Sequence, residues 1–306
     1  GELISRLLVQ STLHPGLSLV YEELLSFAKS EIYLHKDDSL SGKSLADVVN
    51  LYENPCVIGL QRANGSLELA HNSTSVLEQG DFLVVVCEDD SLINKQICNR
   101  EYDSISLKEP NFSSKILKES ILIIGWNRFG VVFLRELEEF LHDGSSIEIV
   151  IDSENFDHIP NEVKERYSVI TLDSIDRNSI RQIIENTQYS HVILLANRDS
   201  ANQEAVDSRT LLRLIDLRSI IKTQDLDIAI SAEILDANNR DLAFQDSKDD
   251  YIASNCLVAG LTAQLSQNSE NQLILDELMS GSRGAEIYLM NPKSFVNLGE
   301  DFYFGS

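Results

Sequence analysis

Apolar positions at helical spacing run from Leu3 to Phe27, and Pro15-Gly16 breaks the run into two short helices. After them the period shortens. Glu31–Leu34 and Val57–Leu60 read as strands, with a helix of one or two turns over Ser44–Val49 behind Gly42. Asn64-Gly65 is a hairpin signal into Leu67–Leu69, and Gly80-Asp81 turns the chain into Phe82–Cys87, a strand apolar on both faces. These elements make a small α+β module ending near Asp90. Residues 91–117 are polar, carry Pro110 and Ser113-Ser114, and read as a linker.

From Ser120 the pattern becomes an alternation of strands and helices. Short apolar strands fall at Ile121–Ile124, Ile147–Ile151, Val169–Leu172, Val192–Leu195 and Ile228–Ser231. Helices are expected over Val131–Leu141, Ile175–Glu185, Ala201–Ile221 and Ile234–Phe244. Strands of this kind separated by helices imply a parallel sheet covered on both faces, the doubly wound, Rossmann-like α/β architecture.

The chain also repeats itself. Glu23-Leu24-Leu25-Ser26 returns as Glu277-Leu278-Met279-Ser280, Gln10 as Gln264, and Glu31-Ile32-Tyr33-Leu34 intact as Glu286-Ile287-Tyr288-Leu289. The simplest repeating unit is a Rossmann lobe, a helical crossover and a small α+β lobe. Residues 1–110 are then the crossover and small lobe of a first unit, 111–254 the Rossmann-like lobe of a second, and 255–306 its crossover and the truncated start of its small lobe. A Rossmann lobe before Gly1 and the remainder of a small lobe after Ser306 are expected to be missing. The crossover segments are apolar (Leu7, Leu17 and Leu24; Leu257, Leu261 and Leu278), which predicts that they bury against other lobes and drive association.

Charge narrows the partners. The 306 residues carry 49 acidic and 25 basic side chains, a formal net charge of −24 that disfavours nucleic acid and anionic lipid. No apolar run approaches the roughly 18–20 residues of a membrane span, and Gly1-Glu2-Leu3-Ile4 is not the start of a signal peptide. The scattered cysteines (Cys56, Cys87, Cys98, Cys256) fit reduced thiols in a cytosolic setting.

The first strand–helix turn of the second lobe is Gly125-Trp126-Asn127-Arg128-Phe129-Gly130, placed as a dinucleotide fingerprint requires. Gly125 would make the tight turn and Gly130 would permit close helix–strand packing. Asn127 stands where a glycine normally lets a pyrophosphate approach the backbone, so NAD binding is expected to be weak or absent. Asp152, ending the second strand, either bonds a ribose hydroxyl or caps a turn. Gly42-Lys43-Ser44 resembles the tail of a phosphate-binding loop, but Asp37 occupies the required glycine position, so a turn and a helix cap explain it. No spacing suits a nucleophile elbow or a histidine metal site, and no catalytic residue is assigned. Asp199, Glu204, Asp207, Glu233 and Asp236 follow strands of the parallel sheet and either form a solvated acidic face or converge on a divalent cation, most plausibly calcium. Arg198 and Arg209 are the cations placed to neutralise them instead.

In order along the chain, Pro15–Leu25, Glu31-Ile32-Tyr33, Val57–Leu60, the Gly125–Gly130 turn, Asp207–Leu211 and Ser231–Asp236 resemble the regulator-of-potassium-conductance (RCK) domains of Castor/Pollux-type ion channels. The resemblance implies a regulatory, non-enzymatic fragment of a ligand-gated cation channel. It implies a homotetrameric gating ring on the cytosolic face of a membrane, beneath a pore carried by the same chain, with calcium as ligand. The alternatives are an NAD(P)-dependent oxidoreductase and a pore-less nucleotide-binding subunit of a potassium uptake system.

Overall fold

The computed structural model describes residues 2–26, 29–52, 55–69, 74–93, 118–198, 200, 202–239, 249–279 and 285–295. The expected linker falls largely outside them. Two compact units emerge, one of residues 1–21 with 116–261 and one of 22–115 with 262–306. The expected boundaries followed chain order. The units instead each join segments from both ends of the chain.

In the unit of residues 22–115 and 262–306, strands β1 (Glu31–Lys36), β2 (Cys56–Gln61), β3 (Leu67–Leu69) and β4 (Phe82–Cys87) form an antiparallel sheet in the order β1-β4-β2-β3. The β2–β3 hairpin closes through Arg62 N–H to the Ser66 carbonyl at 2.8 Å, with Gly65 at φ +85° as Asn-Gly turns require. Helix α3 (Leu45–Val49) starts on Ser44, whose hydroxyl accepts the Asp47 N–H at 3.2 Å and donates to the Asp47 carboxylate at 2.6 Å. Gly42-Lys43-Ser44 is thus a turn and a cap, as read. Leu40, Val48, Leu60, Leu83 and Val85 form the core beneath the sheet.

At the rim, Arg62 bonds Glu68 through two nitrogens at 2.7 and 3.1 Å and Asp81 through a third at 2.9 Å. Burial pulls the Asp81 pKa upward, but backbone N–H donation from Glu78 and Ala63, with Arg62 beside it, leaves it lowered from 3.8. A lowered carboxyl contributes stability above its unfolded pKa and loses it as pH falls through the folded value. The Arg62→Ala variant is therefore expected to melt below wild type at neutral pH, with the gap narrowing below pH 3.8. Thermal melts across that range check it, and a gap that widens with acid contradicts it.

The unit of residues 1–21 and 116–261 is built on β5 (Ser120–Ile124), β6 (Ser146–Asp152), β7 (Ser168–Leu172), β8 (His191–Leu194), β9 (Ala229–Ile234) and β10 (Asp250–Ala253). All are parallel, in the order β10-β9-β8-β5-β6-β7. Helices α4 (Gly130–Phe140), α5 (Asn161–Arg166), α6 (Arg177–Asn186) and α7 (Gln203–Gln224) connect them. The sheet is doubly wound, with its chain reversal between β5 and β8. Leu122, Ile124, Val192, Leu194, Leu214 and Ile230 lie in its main core.

Two readings change. The helix expected from Ile234 does not begin there, because β9 continues through Glu233 and Ile234 and a 3₁₀ turn follows at Ala237–Asn239; residues 240–248 lie outside the described set. β10 and α5 were not expected, being too short, at four and six residues, to display a period.

Helix α1 (Glu2–Leu13) packs on α4, with Arg6 Nε on Glu136 at 3.0 Å. Helix α2 (Leu17–Leu25) is capped from far along the sequence. Asp250, buried on β10, accepts the N–H groups of Gly16 at 2.9 Å and Ser18 at 3.2 Å and also bonds the Ser18 hydroxyl. The repeat-related pair, α8 (Ser254–Gln267) and α9 (Asn271–Leu278), also forms two helices. Asn271 donates to the Ile32 carbonyl at 3.1 Å, so α9 closes the outer edge of β1. The second copy of the tetrapeptide, Glu286–Leu289, lies outside any sheet.

Candidate functional site

The Gly125–Gly130 turn leaves the sheet at its reversal point, where open α/β folds bind ligands. Gly125 sits at φ +97°, and a Cβ there would stand 2.4 Å from the Leu195 carbonyl oxygen. Only glycine lets the turn pass this close to the end of β8. Gly130 has a different task from the one expected. A Cβ on it would lie 2.6 Å from the Trp126 indole, so the missing side chain makes room for that ring.

Asn127 is buried and fully engaged. Its Nδ2 donates to the Ala196 carbonyl at 2.8 Å and to Glu233 Oε2 at 3.1 Å, and its Oδ1 accepts the Phe129 N–H at 2.9 Å. The Gly130 N–H goes to the Asn127 carbonyl at 2.9 Å. These N–H groups are the donors that a phosphate at the start of α4 would need. The crevice lined by Gly125, Trp126, Asp152 and Leu195 measures 40 Å³. That is room for about one water at roughly 30 Å³ each. Asp152 is held by Arg213 at 3.0 Å, a residue that nothing in the motif announced. The Phe129 and Gly130 N–H groups and Asp152 are thus engaged within the turn and with Arg213.

Glu233 is fully buried at the centre of this turn. Its Oε2 accepts the Ala196 N–H and the Asn127 amide, both at 3.1 Å, while its Oε1 pairs with Arg198. Burial pushes its pKa up, and Arg198 and the donated hydrogen bonds oppose the shift without reversing it. Arg198 also stacks on Phe129, 5.4 Å from the ring centroid.

Asp207, equally buried on α7, accepts the N–H groups of Leu235 at 2.8 Å and Asp236 at 2.9 Å, and the Asn239 side-chain amide at 2.8 Å. It fixes the loop after β9. Asp236 and Glu204 are exposed, and Asp199 lies outside the described residues. Among the described residues, no three His, Cys, Asp or Glu side chains are placed to share a metal ion. Asp207 spends its oxygens on backbone and amide donors, and Glu233 on a backbone N–H, the Asn127 amide and Arg198. Of the two cations expected to neutralise them, Arg198 does so at Glu233, and Arg209 makes no ion pair with the four that lie among the described residues. An acid one residue before the end of an apolar strand was the one available signal that Glu233 is structural.

Residues 1–103 match the family model described as "Castor and Pollux, part of voltage-gated ion channel". The rice (Oryza sativa subsp. japonica) protein named "Probable ion channel POLLUX" is 26% identical over 348 residues, covering 94% of this chain and 34% of that protein. The Lotus japonicus "Ion channel POLLUX" is 24% identical over 342 residues, covering 95% of this chain and 36% of its own length. The chain thus spans little more than a third of these relatives. Among solved structures, the human SLO3 gating ring superposes with a TM-score of 0.64 at 13% identity, covering 95% of this chain and 64% of that one. That likeness is one of fold. Both relatives are named as channels rather than enzymes. In sequence the chain is similar to Castor and Pollux ion channels, and in fold to the human SLO3 gating ring.

Proposed function

We propose that the chain is a regulatory region of a Castor/Pollux-type cation channel, part of a gating ring that couples ligand-driven lobe motion to a pore. The observation that carries this reading is the interleaving of the two compact units. Helix α2 begins in one unit, capped by Asp250, and ends in the other; α8 does the same between Gly260 and Thr262. A ligand that binds one conformation of a lobe better shifts the population toward that conformation. The assembled protein is a homotetramer on the cytosolic face of a membrane, with its pore elsewhere in the same polypeptide. No helix among the described residues is long and apolar enough to cross a membrane. The ligand is calcium, as the resemblance implies, held by residues other than Asp207 and Glu233.

Single-channel recording of the full-length protein tests this. Asp250→Asn weakens the anchoring of α2 and is expected to change open probability and its calcium dependence while unitary conductance and ion selectivity stay at wild-type values. Altered conductance with unchanged gating, or a full-length protein that carries no current, overturns the reading.

A further inference from the structure

Beyond the carboxyl ends of β6 and β7 lies an open cleft of about 680 Å³, within the size range of small-molecule sites. Most of its charges are committed. Arg213 holds Asp152, and Arg177 reaches Asp216 at 3.3 Å and the Ser219 hydroxyl at 2.6 Å. Asp176 accepts the Asn178 and Ser179 N–H groups at the start of α6. Among the described residues, Arg209 on α7, Glu154 after β6 and Asp173 after β7 stay outside any ion pair, and the two acids, unlike Asp176, take no backbone N–H. The Ser153 hydroxyl donates to Asp173 at 2.9 Å, which ties the two acid-bearing strand ends together. Arg209 faces the same cleft without pairing with either acid. Leu212, one turn along α7 and 63% exposed, adds an apolar surface beside it.

We propose that this cleft binds a small zwitterion of the free α-amino-acid class. Its carboxylate sits on Arg209, its ammonium on Glu154 and Asp173, and an apolar side chain lies against Leu212. A simple anion satisfies Arg209 but must approach two unpaired carboxylates. A divalent cation meets a guanidinium and, among the described residues, finds no three acids placed to share it. A zwitterion answers both signs through charge-assisted hydrogen bonds, and, being neutral, gains no general attraction from a chain of charge −24. The contacts are solvent-exposed, so affinity is modest, on the order of millimolar.

Calorimetric titration of the 306-residue chain with leucine, N-acetylleucine and leucinamide decides the matter. Leucine is expected to bind and each blocked derivative to bind about ten-fold more weakly, as loss of a charged hydrogen bond dictates. Arg209→Gln and Glu154→Gln should each weaken leucine by a similar factor at an unchanged melting temperature. Absence of leucine binding, N-acetylleucine or leucinamide binding as tightly as leucine, or wild-type affinity in both variants each overturns the proposal. The titration reads binding alone and stands or falls independently of the channel reading.

Discussion

Replacement of Glu233 by alanine is expected to destabilise the Rossmann lobe by about 3–5 kcal/mol, the usual cost of breaking a buried ion pair by removing one partner. The carboxylate serves the Asn127 amide, the Ala196 N–H and the Arg198 guanidinium, with the Ser254 hydroxyl beside them. Its loss strands a largely buried guanidinium whose Nη2 already has no partner. It also leaves a buried amide proton and a backbone N–H without acceptors. For a lobe of this size the change corresponds to a fall of roughly 10 °C in melting temperature. Glu233→Gln, which keeps an acceptor for the two neutral donors, should lose less. The double variant Glu233→Leu, Arg198→Met should recover part of the loss, because it removes both charges together. Circular-dichroism melts of the four proteins test the set. A Glu233→Ala melting point within about 1 °C of wild type would mean that the carboxylate is not the anchor of the turn.

Gly125→Ala is expected to be nearly as damaging, costing about 3 kcal/mol or more. Two separate penalties meet there. The backbone at φ +97° is one that L side chains rarely adopt, and the new methyl would lie 2.4 Å from a carbonyl oxygen of the neighbouring strand. A flexible side chain could move aside; the Leu195 backbone is fixed by its own hydrogen bond to Ile124 at 3.0 Å. Gly65→Ala is the matched comparison. Its φ is +85° and no atom lies within 4 Å of the added Cβ, so it bears the conformational penalty alone. Equal destabilisation of the two variants would show that the close approach at Leu195 carries no cost.

The Rossmann lobe was legible because each strand is a short apolar run and each connecting segment holds its own helical period. The hairpin at Asn64-Gly65 and the cap at Ser44 were legible because their chemistry is local. The interior of the turn was not. Nothing in Gly-x-x-x-x-Gly distinguishes a glycine that admits an indole from one that admits a strand, and the partner of Gly130 is a side chain chosen by packing. Asp207 and Glu233 read as candidate ligands because a carboxylate before or after a strand looks the same whether it faces a metal or a backbone N–H. The choice is set by Leu235, Asp236 and Ala196, whose donated N–H groups carry no sequence signature. Asp152 was placed correctly at its strand end, but its partner Arg213 lies 61 residues away. The interleaving of the units escaped for the same reason, since a repeat shows which segments are alike and not where each one packs.

The long reach from Asp250 to the start of α2 has a consequence for synthesis. The two are separated by 232 residues in the bond to Ser18. At ribosomal speeds of about 5–20 residues per second, roughly 10–50 s pass between the emergence of α2 and the arrival of its cap. The small antiparallel sheet can close early and α1 can dock once α4 appears, whereas the first turn of α2 waits for the last strand of the parallel sheet. During that interval Leu17 and Tyr21, both buried in the finished molecule, lack their final surroundings. Until β10 arrives, the start of α2 has neither its cap nor its finished packing.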